Sequence, residues 1–141
     1  MPPLPRPPRY SPLLLFVDGT AASRGATAHA AALALATGAT VAILAVMDTG
    51  GNLAFTPEAA AHYTRLRIVA QTATEEASAG VRGAGVPHVE HLIMDGVPHV
   101  GILAVANELG AGLIVLHAQS PAAPDVLRDA PCPVLLVPQG K

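Results

Sequence analysis

Leu13-Leu14-Leu15-Phe16-Val17-Asp18-Gly19-Thr20 decides how the chain is read. Five consecutive apolar residues suit a strand buried on both faces and are too few for a helix. The run stops at an acid, a glycine and a hydroxyl, and an alanine-rich helical pattern follows at once. A carboxylate is thereby expected at the carboxyl end of a sheet strand, where open α/β folds place their ligands.

Working outward, the same alternation repeats. Thr20 is a suitable N-cap for the first helix, Ala28, Ala31, Ala32 and Leu35 recur along one face of it, and Gly38 supplies a left-handed C-cap. Val41–Met47 reads as a second buried strand. Thr56-Pro57-Glu58 starts a helix expected over 57–82, with Ala59, Tyr63, Leu66, Ala70, Ala73, Ala77 and Val81 along its inner side. A third strand over 89–94 closes at Asp95-Gly96. Pro98 opens a third helix, with Ile102, Leu103, Ala106 and Leu109 among its apolar positions, and Gly110 ends it. Residues 113–116 form a fourth strand running into His117. A short helix follows from Pro124, and Val134–Val137 is the fifth strand. Strands alternating with helices imply right-handed βαβ units, hence an α/β fold with a doubly wound, five-stranded parallel sheet and helices on both faces.

Composition sets the bounds. A chain of 141 residues, half of them apolar, suits one core. Only four residues are aromatic, so the core must be made of Ala, Val, Leu and Ile. The expected organisation is a proline-rich flexible tail over 1–12, with six prolines, and one domain over 13–141. A net charge of −2 gives no electrostatic footprint for nucleic acid or an anionic membrane. The charge-free stretch between Arg24 and Asp48 is interrupted by Thr27, His29, Thr37, Gly38 and Thr40, and it changes period at Gly38. Helix, turn and strand describe it better than a membrane span. Cys132 is the only cysteine, which excludes an internal disulfide and points to a reducing, cytoplasmic setting. Flanked by prolines, it reads as a small buried hydrophobe.

Several longer stretches carry a family resemblance. Val17-Asp18-Gly19-Thr20, the helix ending at Thr37-Gly38-Ala39, Gly96-Val97-Pro98, the run from Leu109 to Leu116, and above all the ending from Val126 to Pro138 resemble a universal stress protein (UspA-like) domain. The resemblance covers nearly all of 13–138. It implies a strand order of 3-2-1-4-5, a crevice between the carboxyl ends of the first and fourth strands, and a homodimer through the Val134–Val137 edge strand. In nucleotide-binding members the acid matching Asp18 lies at the adenine, and residues matching Val46 and Met47 line the base pocket. The phosphates lie on a glycine loop after the fourth strand, where backbone amides must approach them closely.

That loop is missing. Residues 117–125 read His-Ala-Gln-Ser-Pro-Ala-Ala-Pro-Asp, without a glycine and with prolines at 121 and 124 that have no amide to donate. The chain therefore resembles the subgroup lacking the ATP phosphate-binding loop. Asp18, Gly19, Thr20, Val46, Met47 and His117 are the candidate residues of a degenerate nucleotide crevice, with no normal ATP binding and no cofactor expected. Asp18 has a purely structural reading as well, accepting amide bonds at the start of the first helix. Asp18 and His117 end neighbouring strands and are expected to meet.

Asp18, Asp48, Asp95 and His117 all follow strands, but turns there favour Asp for backbone reasons, so a metal site is not expected. His88, His91 and His99 lack ligand spacing. A phosphoacceptor receiver domain would need paired acids after the first strand and a lysine after the fifth, where Pro138 stands. No nucleophile–base constellation is evident. Three functions follow: a stress-related regulatory or interaction protein without catalysis, a nucleotide-binding member using the degenerate crevice, or a small-ligand sensor.

Overall fold

The computed structural model describes residues 9–49 and 56–139. The element order is β1 (Leu13–Phe16), α1 (Ala21–Thr37), β2 (Val41–Met47), α2 (Pro57–Gly83), β3 (Val89–Asp95), α3 (Pro98–Leu109), β4 (Leu113–His117), α4 (Ala123–Asp129) and β5 (Val134–Val137). All strand pairs are parallel, in the order β3-β2-β1-β4-β5. The doubly wound α/β architecture and its strand order are those expected.

The central strands show why the apolar runs are continuous. Alternate side chains of a strand point to opposite faces, and here both faces are covered. Leu13, Leu15, Val17, Ile43 and Ala45 pack in the layer of α1 and α2. Leu14, Phe16, Leu44 and Ile114 pack in the layer of α3 and α4. At about 25 cal/mol per Å² of apolar surface removed from water, this two-layer burial is the main force holding the sheet. Edge strand β3 is exposed or half-buried over most of its length, as its early alternation implies. Among the described residues, no helix is long and apolar enough to cross a membrane.

Two expectations shift. Of the apolar stripe Ala28, Ala31, Ala32 and Leu35 only Ala31 is buried; the other buried residues of α1 are Ser23, Ala26, Ala30 and Ala34. Alanine occupies nearly every side of this helix, so spacing alone could not say which side meets the sheet. Of the stretch expected as a tail, residues 1–8 lie outside the described ones, while residues 10–12 contact the domain. The Gly112 amide donates to the Pro12 carbonyl at 2.9 Å, the Thr40 amide donates to Ser11 Oγ at 3.1 Å, and Tyr10 packs against the core.

Gly112 is the counterpart of this docking. A Cβ there would run into the Arg9 carbonyl oxygen and crowd the Ser11 nitrogen and Tyr10 carbonyl carbon. Because the obstacle is backbone rather than a flexible side chain, Gly112→Ala should cost about 1–3 kcal/mol in urea unfolding. Gly25→Ala, in the interior of α1 with open space at the same atom, should instead gain about 0.5–1 kcal/mol. Equal stability of the Gly112→Ala variant and the parent would contradict the packing of 9–12 on β4.

Candidate functional site

The carboxyl ends of β1 and β4 meet through side chains. His117 Nε2 lies 2.6 Å from Asp18 Oδ2, so the expected contact is made. The Asp18 carboxylate also receives the Thr20 hydroxyl at 2.6 Å and the Thr20 amide at 3.0 Å, both on Oδ1. Thr20 in turn caps α1, its Oγ1 accepting the Ser23 amide at 3.2 Å, while the Asp18 amide donates to Ser23 Oγ at 3.2 Å. Between them, Gly19 adopts φ 82°. That left-handed conformation favours glycine, and a Cβ would also stand 3.2 Å from Val69 Cγ1. One acid thus joins the end of β1, the start of α1 and the end of β4.

The electrostatics follow from this arrangement. Partial burial pushes the Asp18 carboxyl up, but the hydrogen bonds from the Thr20 hydroxyl, His117 and the Thr20 amide, with the Coulomb attraction of His117, outweigh it. The net shift is downward from 3.8. Asp18 therefore stays ionised. His117 is almost wholly buried, and its Nδ1 has no hydrogen-bond partner among the described residues. Its Nε2 faces the Asp18 carboxylate and donates to it.

Beside this pair lies a crevice of about 330 Å³ lined by Phe16, Asp18, Val46, Asp48, Val97, Pro98, His99, Ser120, Pro121 and Ala122. Of the candidate residues, Asp18 and Val46 line it, and His117 backs Asp18. Met47 does not, because strand alternation turns it into the opposite layer, where it is buried. Its carbonyl is engaged by the Thr49 and Gly96 amides. Gly19 and Thr20 border a small recess on the α1–α2 side. Phe16, His99 and Ser120 were not anticipated. Strand parity could have found Phe16, which stands two residues before Asp18 as Val46 stands two after Leu44. His99 is reached only through the packing of α3, where its Nδ1 stands 3.6 Å from Asp125 Oδ2.

The loop between β4 and α4 is a tight turn rather than a cradle. Ala118 donates to the Val137 carbonyl, Ser120 to the His117 carbonyl, Ala122 to Ser120 Oγ and Ala123 to the Ser120 carbonyl. With Pro121 and Pro124 lacking amides, almost none of its backbone is left to receive phosphate oxygens. A larger groove of about 540 Å³ lies between α1 and α2, but it is nearly all small apolar side chains, with the Arg24–Glu76 ion pair at its border. No three His, Cys, Asp or Glu residues converge on a metal position among the described residues.

The depressed Asp18 carboxyl has a signed consequence. Its stabilisation is complete above the unfolded value and is lost as pH falls through the lower folded value. Unfolding free energy should therefore drop as the pH is taken below about 4, and Asp18→Asn should flatten that part of the profile. At pH 7, Asp18→Ala should cost about 1–3 kcal/mol, since the Thr20 and His117 donors lose their acceptor. Denaturation curves over pH 2–7, an illustrative range of about five units, read both effects.

Known proteins place this arrangement. No curated protein sequence matches the chain. The universal stress protein UspA from Lactobacillus plantarum is 26% identical with a TM-score of 0.78, over 92% of this chain and 98% of that one. A universal stress protein in complex with cAMP is 19% identical with a TM-score of 0.75, over 93% and 99%. The Archaeoglobus fulgidus universal stress protein in complex with dAMP is 24% identical with a TM-score of 0.72, over 91% and 98%. Since the family model described as the universal stress protein family also matches residues 9–138, the chain belongs to that family.

Proposed function

We propose that this universal stress protein is a non-catalytic regulatory protein that takes a nucleoside-type ligand by its base in the crevice beside Asp18, without a phosphate-loop grip on ATP. The observation that carries the reading is an ionised carboxylate held at the wall of an apolar crevice. Asp18 is fixed from both sides by Thr20 and His117, while Phe16, Val46, Val97 and Pro121 supply flat apolar walls. Such a combination of apolar lining and a few convergent polar groups is how small-molecule sites are built. The cAMP and dAMP complexes of the similar proteins support a purine as the guest.

Catalysis has little to work with. The Asp18–His117 pair orients an imidazole as a catalytic dyad would, yet no hydroxyl or thiol stands at Nδ1 among the described residues. Cys132 is held as a thiol, because burial pushes its pKa up. Self-association through β5 is part of the proposal. Among the described residues that strand pairs only with β4, and Val134, Leu135 and Leu136 are half-buried apolar residues at the sheet edge, which native proteins usually cover.

Titration with adenosine, followed by backbone amide NMR shifts, tests the ligand reading. Saturable shifts are expected at Phe16, Asp18, Val46, Ser120 and Ala122 and not along Ala28, Ala32 and Leu35. A protein whose spectrum ignores adenosine, AMP and ATP alike would refute it. Light scattering should give twice the chain mass, and a monomer at all concentrations would remove the edge-strand dimer.

A further inference from the structure

Resting on that reading of the crevice, we infer that Gly101 is a positioning residue of the site: it sets the fit of the guest by seating α3 directly on Val46. Glycine inside a helix is unfavourable beside alanine, so its place in α3 needs a physical reason. Its backbone does not adopt the left-handed conformation that would call for glycine. Space is the reason instead. Gly101 is buried on the inner side of the helix, and a Cβ built on it would stand 3.0 Å from Val46 Cγ2 and 3.8 Å from Val46 Cγ1. The absent side chain lets the helix backbone rest against the Val46 isopropyl group.

Val46 connects that contact to the guest, because the same side chain lines the crevice. The α3 wall of the crevice is tied to Gly101 as well. Val97, Pro98 and His99 line the crevice and form the turn just before Gly101, whose amide donates to the Val97 carbonyl at 3.1 Å. No side chain caps this end of α3. The Gly96 amide fastens the chain ahead of it to the Met47 carbonyl at 2.9 Å. Residues 97–99 are therefore held to the end of β2 from both sides, by the Gly96–Met47 hydrogen bond and by the Gly101–Val46 packing.

A methyl group added at position 101 has two ways to be accommodated. Valine is stiff at χ1, so either its isopropyl group is forced to another rotamer in the crevice wall, or the first turn of α3 lifts from β2. The first changes the surface that meets the guest, and the second carries Val97 and Pro98 away from it. Both weaken binding, and both leave the hydrogen bonds of Asp18 to Thr20 and His117 in place. Shortening Val46 to alanine removes the obstructing methyls, so that the same addition at position 101 then meets no obstacle. Gly101 thus acts through Val46.

Calorimetric titration of four full-length proteins with adenosine decides the matter: the parent, Gly101→Ala, Val46→Ala and the double variant. Gly101→Ala should weaken binding by about threefold or more, as expected for a methyl-sized change in an apolar pocket. Val46→Ala should also bind more weakly than the parent, and adding Gly101→Ala to it should cost nothing further. Parent-like affinity of Gly101→Ala overturns the inference and leaves the crevice reading intact. An equal loss from Gly101→Ala in both backgrounds also overturns it, by showing that position 101 does not act through Val46. Should Gly101→Ala alone fail to fold, the two proteins carrying Val46→Ala decide: equal affinity upholds the inference and weaker binding by the double variant overturns it. Failure of the folded parent to bind adenosine removes the crevice reading and the inference together.

Discussion

The contact between Asp18 and His117 is the point at which this fold closes on itself. A parallel sheet leaves its strand ends polar and exposed to whatever follows them, and here one carboxylate gathers three of those endings. It accepts from the residue that caps α1 and from the last residue of β4, and it terminates β1. The two partners are 99 positions apart in the chain, so the bond is available only once β1 and β4 lie side by side. The same carboxylate lines the crevice beside it, so one side chain both closes the fold and borders the crevice.

That dual role explains how much of the molecule was legible beforehand. Continuous apolar runs stopping at Asp, Gly, Thr or His mark strands covered on both faces, and the caps at Thr20, Gly38 and Thr56 mark helices by backbone chemistry that does not depend on distant contacts. The strand order came with the family resemblance, and the Asp18–His117 meeting followed from that order. What stayed hidden depends on facing. α1 is alanine on almost every side, so its buried stripe is set by the sheet it lands on. Met47, expected with Val46 to line the base pocket, points into the opposite layer, because successive strand residues face opposite sides. His99 and Ser120 reach the site through the packing of α3 and of the turn after β4, which no local pattern announces.

The turn after β4 contains no glycine, and its amides are directed into the protein's own structure. Ser120 folds the turn back on itself, its hydroxyl and carbonyl each accepting an amide from the two residues that lead into α4. The Ala118, Ser120, Ala122 and Ala123 amides are thus all engaged within the protein.

The docking of Arg9–Pro12 against Gly112 has a practical side. Gly112 immediately precedes β4, so this segment lies at the amino pole of the parallel sheet, whereas Asp18, His117 and the crevice lie at the carboxyl pole. β5 runs parallel to β4 and delivers the chain at Val137 to the same pole as the crevice, beside Ala118. The two ends of the domain thus leave from opposite poles. A label, affinity handle or fused protein placed ahead of Arg9 joins the domain at the pole away from the crevice, while one placed after Val137 joins it at the crevice's own pole.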